Sequence, residues 1–400
     1  MTEPLCGINI IDLSSTVGRY CTMYLADMGA RVIKVQPITI TMRRRIKAET
    51  EERAAAFDSL DRNKESIGVN LKSAVGKRIF IELSKKADVI VEDFRPDVTK
   101  RLGIDYESIK KVNANIIYCS ISGYGQDGPY RLMPGHDPNY EAMGGILGIT
   151  CTSDGEHVLP GVPIADFAAG SMNATIGVLL AVIARNKYGI GQHIDISMLD
   201  GIVSIMAYRY GAAYLESGIQ PKPGERPSHV YRTKDGKYVV ICCPEPWFWE
   251  KLCRALGLEQ YIPYAEEAMA IHAYTHHDEE KHNLRQKVVR DFARVFLTRT
   301  RAEWIRILSE TDTCASPIYN FEEVFSDPHI LHRKMLMELI HPVVGKVKQV
   351  GIPIKLSETP GSVRKTAPLH GENTRELLRE IGYNEKKIGN LAKRRIIKVI

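Results

Sequence analysis

No segment of the 400-residue chain reaches the roughly 18 consecutive apolar residues of a membrane-spanning helix, and MTEPLCGINIIDLSS at its start lacks a basic region followed by a long apolar one. The expectation is a cytoplasmic protein with no membrane partner. Neither sign of charge is massed in one place. Lys and Arg number 54 against 48 Asp and Glu, a net charge of +6 spread along the chain. A nucleic-acid binder concentrates its cations on one face or arm, so no nucleic-acid partner is expected, while the basic surplus suits an anionic small ligand. The eight cysteines form no C-x-x-C pair and several lie in apolar runs. Buried thiols in a reducing compartment are expected, and no metal site. Internal repeats and long low-complexity segments are missing as well.

What the chain has is alternation. Its length exceeds one ordinary core, which implies two domains or one with a subdomain. GINIIDLS, the helical YCTMYLADMG and ARVIKVQP read as a β-α-β opening. SIGVNLKS, helical GKRIFIELSKKA, DVIVEDF, a helix near Asp97 to Leu102 and NIIYCSIS continue the pattern, and IGQHIDIS adds a later strand. Helices between strands at this spacing predict an α/β protein with a mostly parallel sheet covered on both faces. The stretch 166–187, DFAAGSMNATIGVLLAVIARNK, lacks a polar stripe and reads as a helix buried on most sides. ESGIQPKPGERPS at 216–228 is the best linker candidate. Beyond it, DGKYVVICC and the helices EPWFWEKLCRALG, HNLRQKVVRDFARVFL and TRAEWIRILSE predict a smaller, mostly helical unit anchored by Trp247, Phe248 and Trp249. Short strands return in KVKQVGIPIKLS before a last helix, TRELLREIG.

Two signals compete in GYGQDGPYRLMPGHDPNY, residues 123–140. Gly123, Gly125 and Gly128 follow a strand and spell the dinucleotide fingerprint, but Pro129 and two further prolines forbid the helix that would receive a pyrophosphate. A loop needing positive φ or close approach is the better reading. His136 lies between Gly135 and Pro138, just ahead of helical NYEAMGGILG, where a helix start lowers the pKa of an imidazole and offers amides to an enolate oxygen. An ordinary exposed histidine beside a capping Asp137 fits the same turn. Asp166 opens an apolar helix, as a cap would, yet Ala168, Ala169, Gly170 and Ser171 leave open space for a substrate beside it. His276, His277 and His282 lack the spacing of a zinc pair, and Arg43 to Arg45 read as surface or as a phosphate contact.

Several blocks together resemble the family III CoA-transferases (CaiB/BaiF type), which include the α-methylacyl-CoA racemases. These are L-x-G-x-x-I-x-D-L-S with LADMGARVIKV, ADVIVEDFRPDVTKRLGI, SGYGQDGP, GHDPNY, PIADFAAGSM, GIGQHIDISMLDG and APLHGENTRELLREIGY, in the family's order and nearly end to end. The resemblance implies a Rossmann-like parallel sheet in a large domain built from residues 1–215 and 331–400, a smaller α+β domain over 225–330, and two interlocked chains. It implies acyl-CoA thioester substrates, with coenzyme A as part of the substrate and no other cofactor or metal. In the racemases the aspartate matching Asp166 and the histidine matching His136 move an α-proton between opposite faces, with Glu245 in support. In the transferases the aspartate attacks the thioester and forms an acyl anhydride. Arg62, Lys64 and Arg95 match contacts to CoA, and Asp137, Asn139 and Tyr140 match residues lining the thioester end. GHDPNY and CCPEPWFW favour a racemase acting on a 2-methyl-branched acyl-CoA; GVPIADF, in place of N-L-V-G-D-F, favours a transferase. Gln36-Pro37 departs from the family's usual CoA contact, for which Arg43 to Arg45 are candidate replacements.

Overall fold

The computed structural model describes residues 2–39, 51–152, 155–207, 214–215, 218, 229–265 and 279–400. Arg43 to Arg45, His276, His277, the His282 side chain and most of the 216–228 cluster lie outside the described residues. The chain divides into two compact units: Met1–Ile146 with Leu159–Met206 and Pro328–Ile400, and Leu147–Val158 with Ala207–Asp327. Leu147–Val158, expected within the large domain, belongs to the second unit.

In the first unit, strands β1 (Asn9–Asp12), β2 (Arg31–Gln36), β3 (Lys64–Val69), β4 (Val89–Glu92), β5 (Ile117–Ser122) and β6 (His193–Ser197) run parallel in the order 3-2-1-4-5-6. Every residue of β4 and β5 is buried, the pattern of strands covered on both faces. A short strand near the C-terminus, Ile397–Lys398, pairs antiparallel with β3, so the seven described strands form a mixed, mostly parallel sheet. Helices α1 (Val17–Asp27) and α2 (Ala74–Ser84) follow β1 and β3. The Ser73 hydroxyl accepts the Gly76 N–H at 2.9 Å and caps α2, worth about 1 kcal/mol. From the chain's end, helices Thr374–Glu380 and Glu385–Lys393 insert Leu377, Leu378, Ile388 and Leu391 among Ile67, Ile79, Phe80 and Tyr118.

Three further helices carry the region of interest: α3 (Asp137–Met143), a π-helical turn (Ala165–Met172) continuing as α4 (Asn173–Tyr188), and α5 (Met198–Ile205). The run Ala165–Tyr188 is long and apolar enough to cross a membrane by length and composition. It is not buried on most sides as expected. Ala174, Val178, Ala181 and Val182 face the core, while Ile176, Leu180 and Ile183 are 54%, 61% and 63% exposed. The uniformly apolar stretch 176–184, IGVLLAVIA, conceals this division because both faces carry the same chemistry.

The second unit pairs β7 (His229–Arg232), β8 (Tyr238–Ile241) and β9 (Ala315–Pro317) antiparallel, with α6 (Pro246–Leu256), α7 (Glu279–Phe296) and α8 (Arg301–Glu310). Trp249 stacks on Phe292 at 5.4 Å among Leu252, Phe296 and Trp304. Trp247 does not join them and is 58% exposed. The buried stripe of α6 runs Trp249, Leu252, Cys253, Leu256, a helical spacing on which position 247 does not fall.

Candidate functional site

In an open α/β sheet, ligands bind beyond the carboxyl ends of the strands where the strand order reverses. Here that point lies between β1 and β4. Beside it, at the ends of β1, β2 and β3, opens a cavity of about 1160 Å³, lined among others by Ser15, Gln36, Asn70, Lys72, Phe94 and His370. Drug-sized ligands need roughly 300–1,000 Å³, so the cavity has room for a larger, nucleotide-bearing one. The usual phosphate seat of such folds, the start of α1, is filled from within. Asp93 accepts the Ser15 N–H at 2.7 Å and the Thr16 N–H at 2.9 Å, so an incoming phosphate would meet a carboxylate there. Among the described residues, Arg53 and Lys72 are exposed cations on the cavity wall. The glycine triplet has other duties: Gly125 and Gly128 take φ of +88° and +80°, and a Cβ at Gly123 would lie 2.5 Å from the Tyr140 ring.

His136 stands exposed at the N-cap of α3, its N–H bonded to the Asn139 side-chain carbonyl at 2.9 Å. The next residue makes the decisive contact. Asp137 Oδ1 accepts the backbone N–H of Asp166 at 2.9 Å, docking the start of α3 on the π turn. The half-buried Asp166 is thereby held next to the GHDPNY block, 29 positions beyond the Asp137 that bonds it. The π turn also packs on α1: the Ser171 hydroxyl donates to the Val17 carbonyl at 2.6 Å, and the Phe167 and Tyr20 rings lie 4.9 Å apart. Arg19, beside Tyr20, lines the cavity, so α1 borders both cavity and π turn. The small residues do not leave open space as expected. Ala169, Gly170 and Ser171 are buried, and Gly170 and Gly201 permit close approach of the π turn to α1 and α5. Tyr140 is 4% exposed and meets Tyr124 edge-on at 5.1 Å. Burial first, then Tyr124 and Asp166, push its hydroxyl up to about 12, so it stays protonated.

Among the described residues no group of three or more His, Cys, Asp or Glu side chains could hold a metal ion. The model of CoA-transferase family III matches residues 5–374. The chain belongs to that family.

Relatives of both family activities match almost equally. Succinyl-CoA:glutarate CoA-transferase of Homo sapiens is 31% identical over 97% of this chain and 89% of its own length. Alpha-methylacyl-CoA racemase of Homo sapiens is 31% identical over 98% of this chain and 97% of its own. The crystal structure of a CAIB/BAIF family protein from Brucella suis superposes with a TM-score of 0.78 at 27% identity, covering 95% of this chain and all of that one. The protein is thus an enzyme of CoA-transferase family III, acting on acyl-CoA as a transferase or a racemase.

The structure brings some of the family-matched residues together and separates others. Arg95 is exposed, donates to the Leu132 carbonyl and acts on Tyr140. Arg62 is no surface contact for phosphate. It is 1% exposed, with Nε and Nη2 on the Asp27 carboxylate at 2.6–3.1 Å and Nη1 on the Val350 carbonyl. Lys64, 3% exposed, is likewise an ion of the core and not the expected ligand contact: its Nζ donates to Asp12 at 2.9 Å, Asp61 at 3.0 Å and Thr22 at 2.8 Å. Lys34 reaches the other oxygen of Asp12 at 2.9 Å, and the two ammonium groups outweigh burial and hold that carboxyl far below its ordinary value. Asn139 is exposed and its carbonyl is spent on the His136 cap. Glu245 lies in the second unit as the N-cap of α6 and makes no side-chain cap. Sequence reasoning missed Asp93 and Glu141. For Glu141 the visible signal was an acidic pair four residues apart on a helix.

Proposed function

We propose that the enzyme is an acyl-CoA racemase or epimerase moving the α-proton of a 2-methyl-branched acyl-CoA. His136 takes the proton from one face, and Asp166 returns one to the other. The reverse direction exchanges their roles. The amide of Asp137 at the start of α3 is the donor proposed for the enolate oxygen. Glu245 is assigned its supporting role on the family resemblance. The observation that carries this reading is the Asp137 contact to the Asp166 amide, which couples the histidine's turn to the aspartate's helix. The second reading is CoA transfer: the Asp166 carboxylate attacks the thioester carbon and expels CoA thiolate, leaving an acyl-aspartyl anhydride. The thiolate then attacks the aspartyl carbonyl and releases the first acid. The second acid's carboxylate displaces CoA from the aspartyl thioester to form a new anhydride, which the thiolate opens at the second acyl carbon to give the new acyl-CoA and free Asp166. GVPIADF and the transferases among the relatives favour it.

The test is incubation with a 2-methylacyl-CoA in deuterated water and, separately, with an acyl-CoA plus free carboxylic acids. Deuterium gain at the α-carbon, reduced at least about 10²-fold by His136→Ala, supports the racemase. New thioesters that need Asp166 and survive loss of His136 would sink it. We further propose that the exposed apolar face of α4 is covered by a second copy of the chain, consistent with the interlocked homodimer implied by the family resemblance.

A further inference from the structure

We propose that Glu141 is a positioning residue that stores one proton between itself and Asp137 and so fixes Asp166; this rests on reading Asp166 as the reacting carboxylate. Asp137 and Glu141 stand one turn apart on α3 and share a face. Both reach the same short segment. Asp137 Oδ1 accepts the Asp166 N–H at 2.9 Å, and Glu141 Oε1 accepts the Ile164 N–H at 3.1 Å. Such amides at the start of a helical run have no carbonyl within it to bond, so these two carboxylates cap it jointly.

The remaining oxygen of Glu141 shows where the proton belongs. Glu141 is 1% exposed, and its Oε2 is buried with no hydrogen-bond partner. The side chain within reach is the Asp137 carboxylate. An ionised carboxylate only accepts, so two in contact repel and leave Oε2 unsatisfied. One proton on Oε2 makes it a donor to Asp137 and removes the second negative charge. Burial, followed by Asp137, pushes Glu141 up to about 7. The elements packed on α3 bring Asp166 in the π turn and Asp200 in α5, both acidic, while Tyr140 on α3 itself stays neutral. The one cation acting in this neighbourhood among the described contacts, Arg95, acts on Tyr140. With the proton in place the cap on Ile164–Asp166 is intact. Without it, a second buried charge separates the carboxylates and releases the segment that carries Asp166.

Glu141→Gln keeps the shape, keeps an acceptor for Ile164 and supplies an N–H donor to Asp137 at every pH. Two measurements decide: kcat against pH for whichever family activity the enzyme shows, and the infrared carbonyl band of a protonated carboxyl, which needs no substrate. Expected for the natural chain is a kcat falling about tenfold per pH unit above its alkaline titration, and for Glu141→Gln the loss of that limb. Glu141→Ala, which cannot cap, loses activity at every pH. Glu92, pushed up by burial to about 7, contributes its own band, so the difference between natural chain and Gln variant is read. An unchanged alkaline limb in Glu141→Gln, or no difference band at neutral pH, overturns the proposal. An enzyme with neither deuterium exchange nor CoA transfer would defeat the reading of Asp166 while the band still reports on the Glu141 proton.

Discussion

At the scale of single residues, depth separates the cations that serve the fold from those that meet solvent. Arg62→Ala leaves the Asp27 carboxylate buried without its principal partner, and breaking a buried pair costs about 3–5 kcal/mol. Denaturant unfolding should show that loss, while CoA affinity per folded molecule, measured by calorimetry, stays within twofold, a margin of about 0.4 kcal/mol. A large affinity loss in fully folded variant would return Arg62 to the ligand site. The sequence displays charge but not depth. Asp27 lies 35 residues from Arg62, and Asp12 lies 52 from Lys64, so nothing local marks either as an ion of the interior. His136 was legible for the opposite reason, since its glycine and prolines are neighbours in the chain and define the turn by themselves. Glu141 was not, because the amides it meets are 23 residues onward.

At the scale of elements, the loop after β5 and helix α3 fit each other through one missing side chain. Gly123→Ala would set a methyl 2.5 Å from the Tyr140 ring, and overpacking of this kind costs about 1–3 kcal/mol. Because Tyr140 precedes Glu141 and follows the His136 turn, a fall in kcat should accompany the fall in melting temperature; unchanged values of both would show that the ring has room to move. The parallel strands were legible because each is a short apolar run framed by turns, and DVIVEDF and NIIYCSIS coincide with β4 and β5. Two features were not. The pairing of Ile397–Lys398 involves too few residues for any periodicity, and GIPIKLS reads as a strand by composition yet adopts no regular structure after Val350. Composition records what a segment tolerates, whereas pairing depends on which edge is open beside it.

At the scale of the whole molecule, the apolar face of α4 and the buried acids predict bulk behaviour. Leu180→Lys with Ile183→Lys should convert a dimer to monomers in light scattering with little loss of helix signal, since both side chains are more than half exposed. A natural chain already monomeric at micromolar concentration would refute the covered face. The pH dependence of stability has a definite sign. Glu92 is pushed up from the ordinary 4.5 to about 7 by burial, so the folded state holds a proton that the unfolded chain releases between those values. Stability from this group therefore declines as pH rises through that window, and Glu92→Gln should flatten the decline in a series of thermal melts. Asp12 acts oppositely: its contribution is present above its ordinary 3.8 and is lost only in strong acid. The tail adds a constraint of timing. The outer edge of β3 is complete only when Ile397–Lys398 pairs with it, 328 positions after Val69. At roughly 5–20 residues per second of synthesis, that edge stays unpaired for about 16–66 s, an interval in which a nascent chain presents a bare strand to its neighbours on the same polysome. Production of this enzyme should therefore depend on chaperones that shield a growing chain, and on slow, dilute expression, more than its finished sheet suggests.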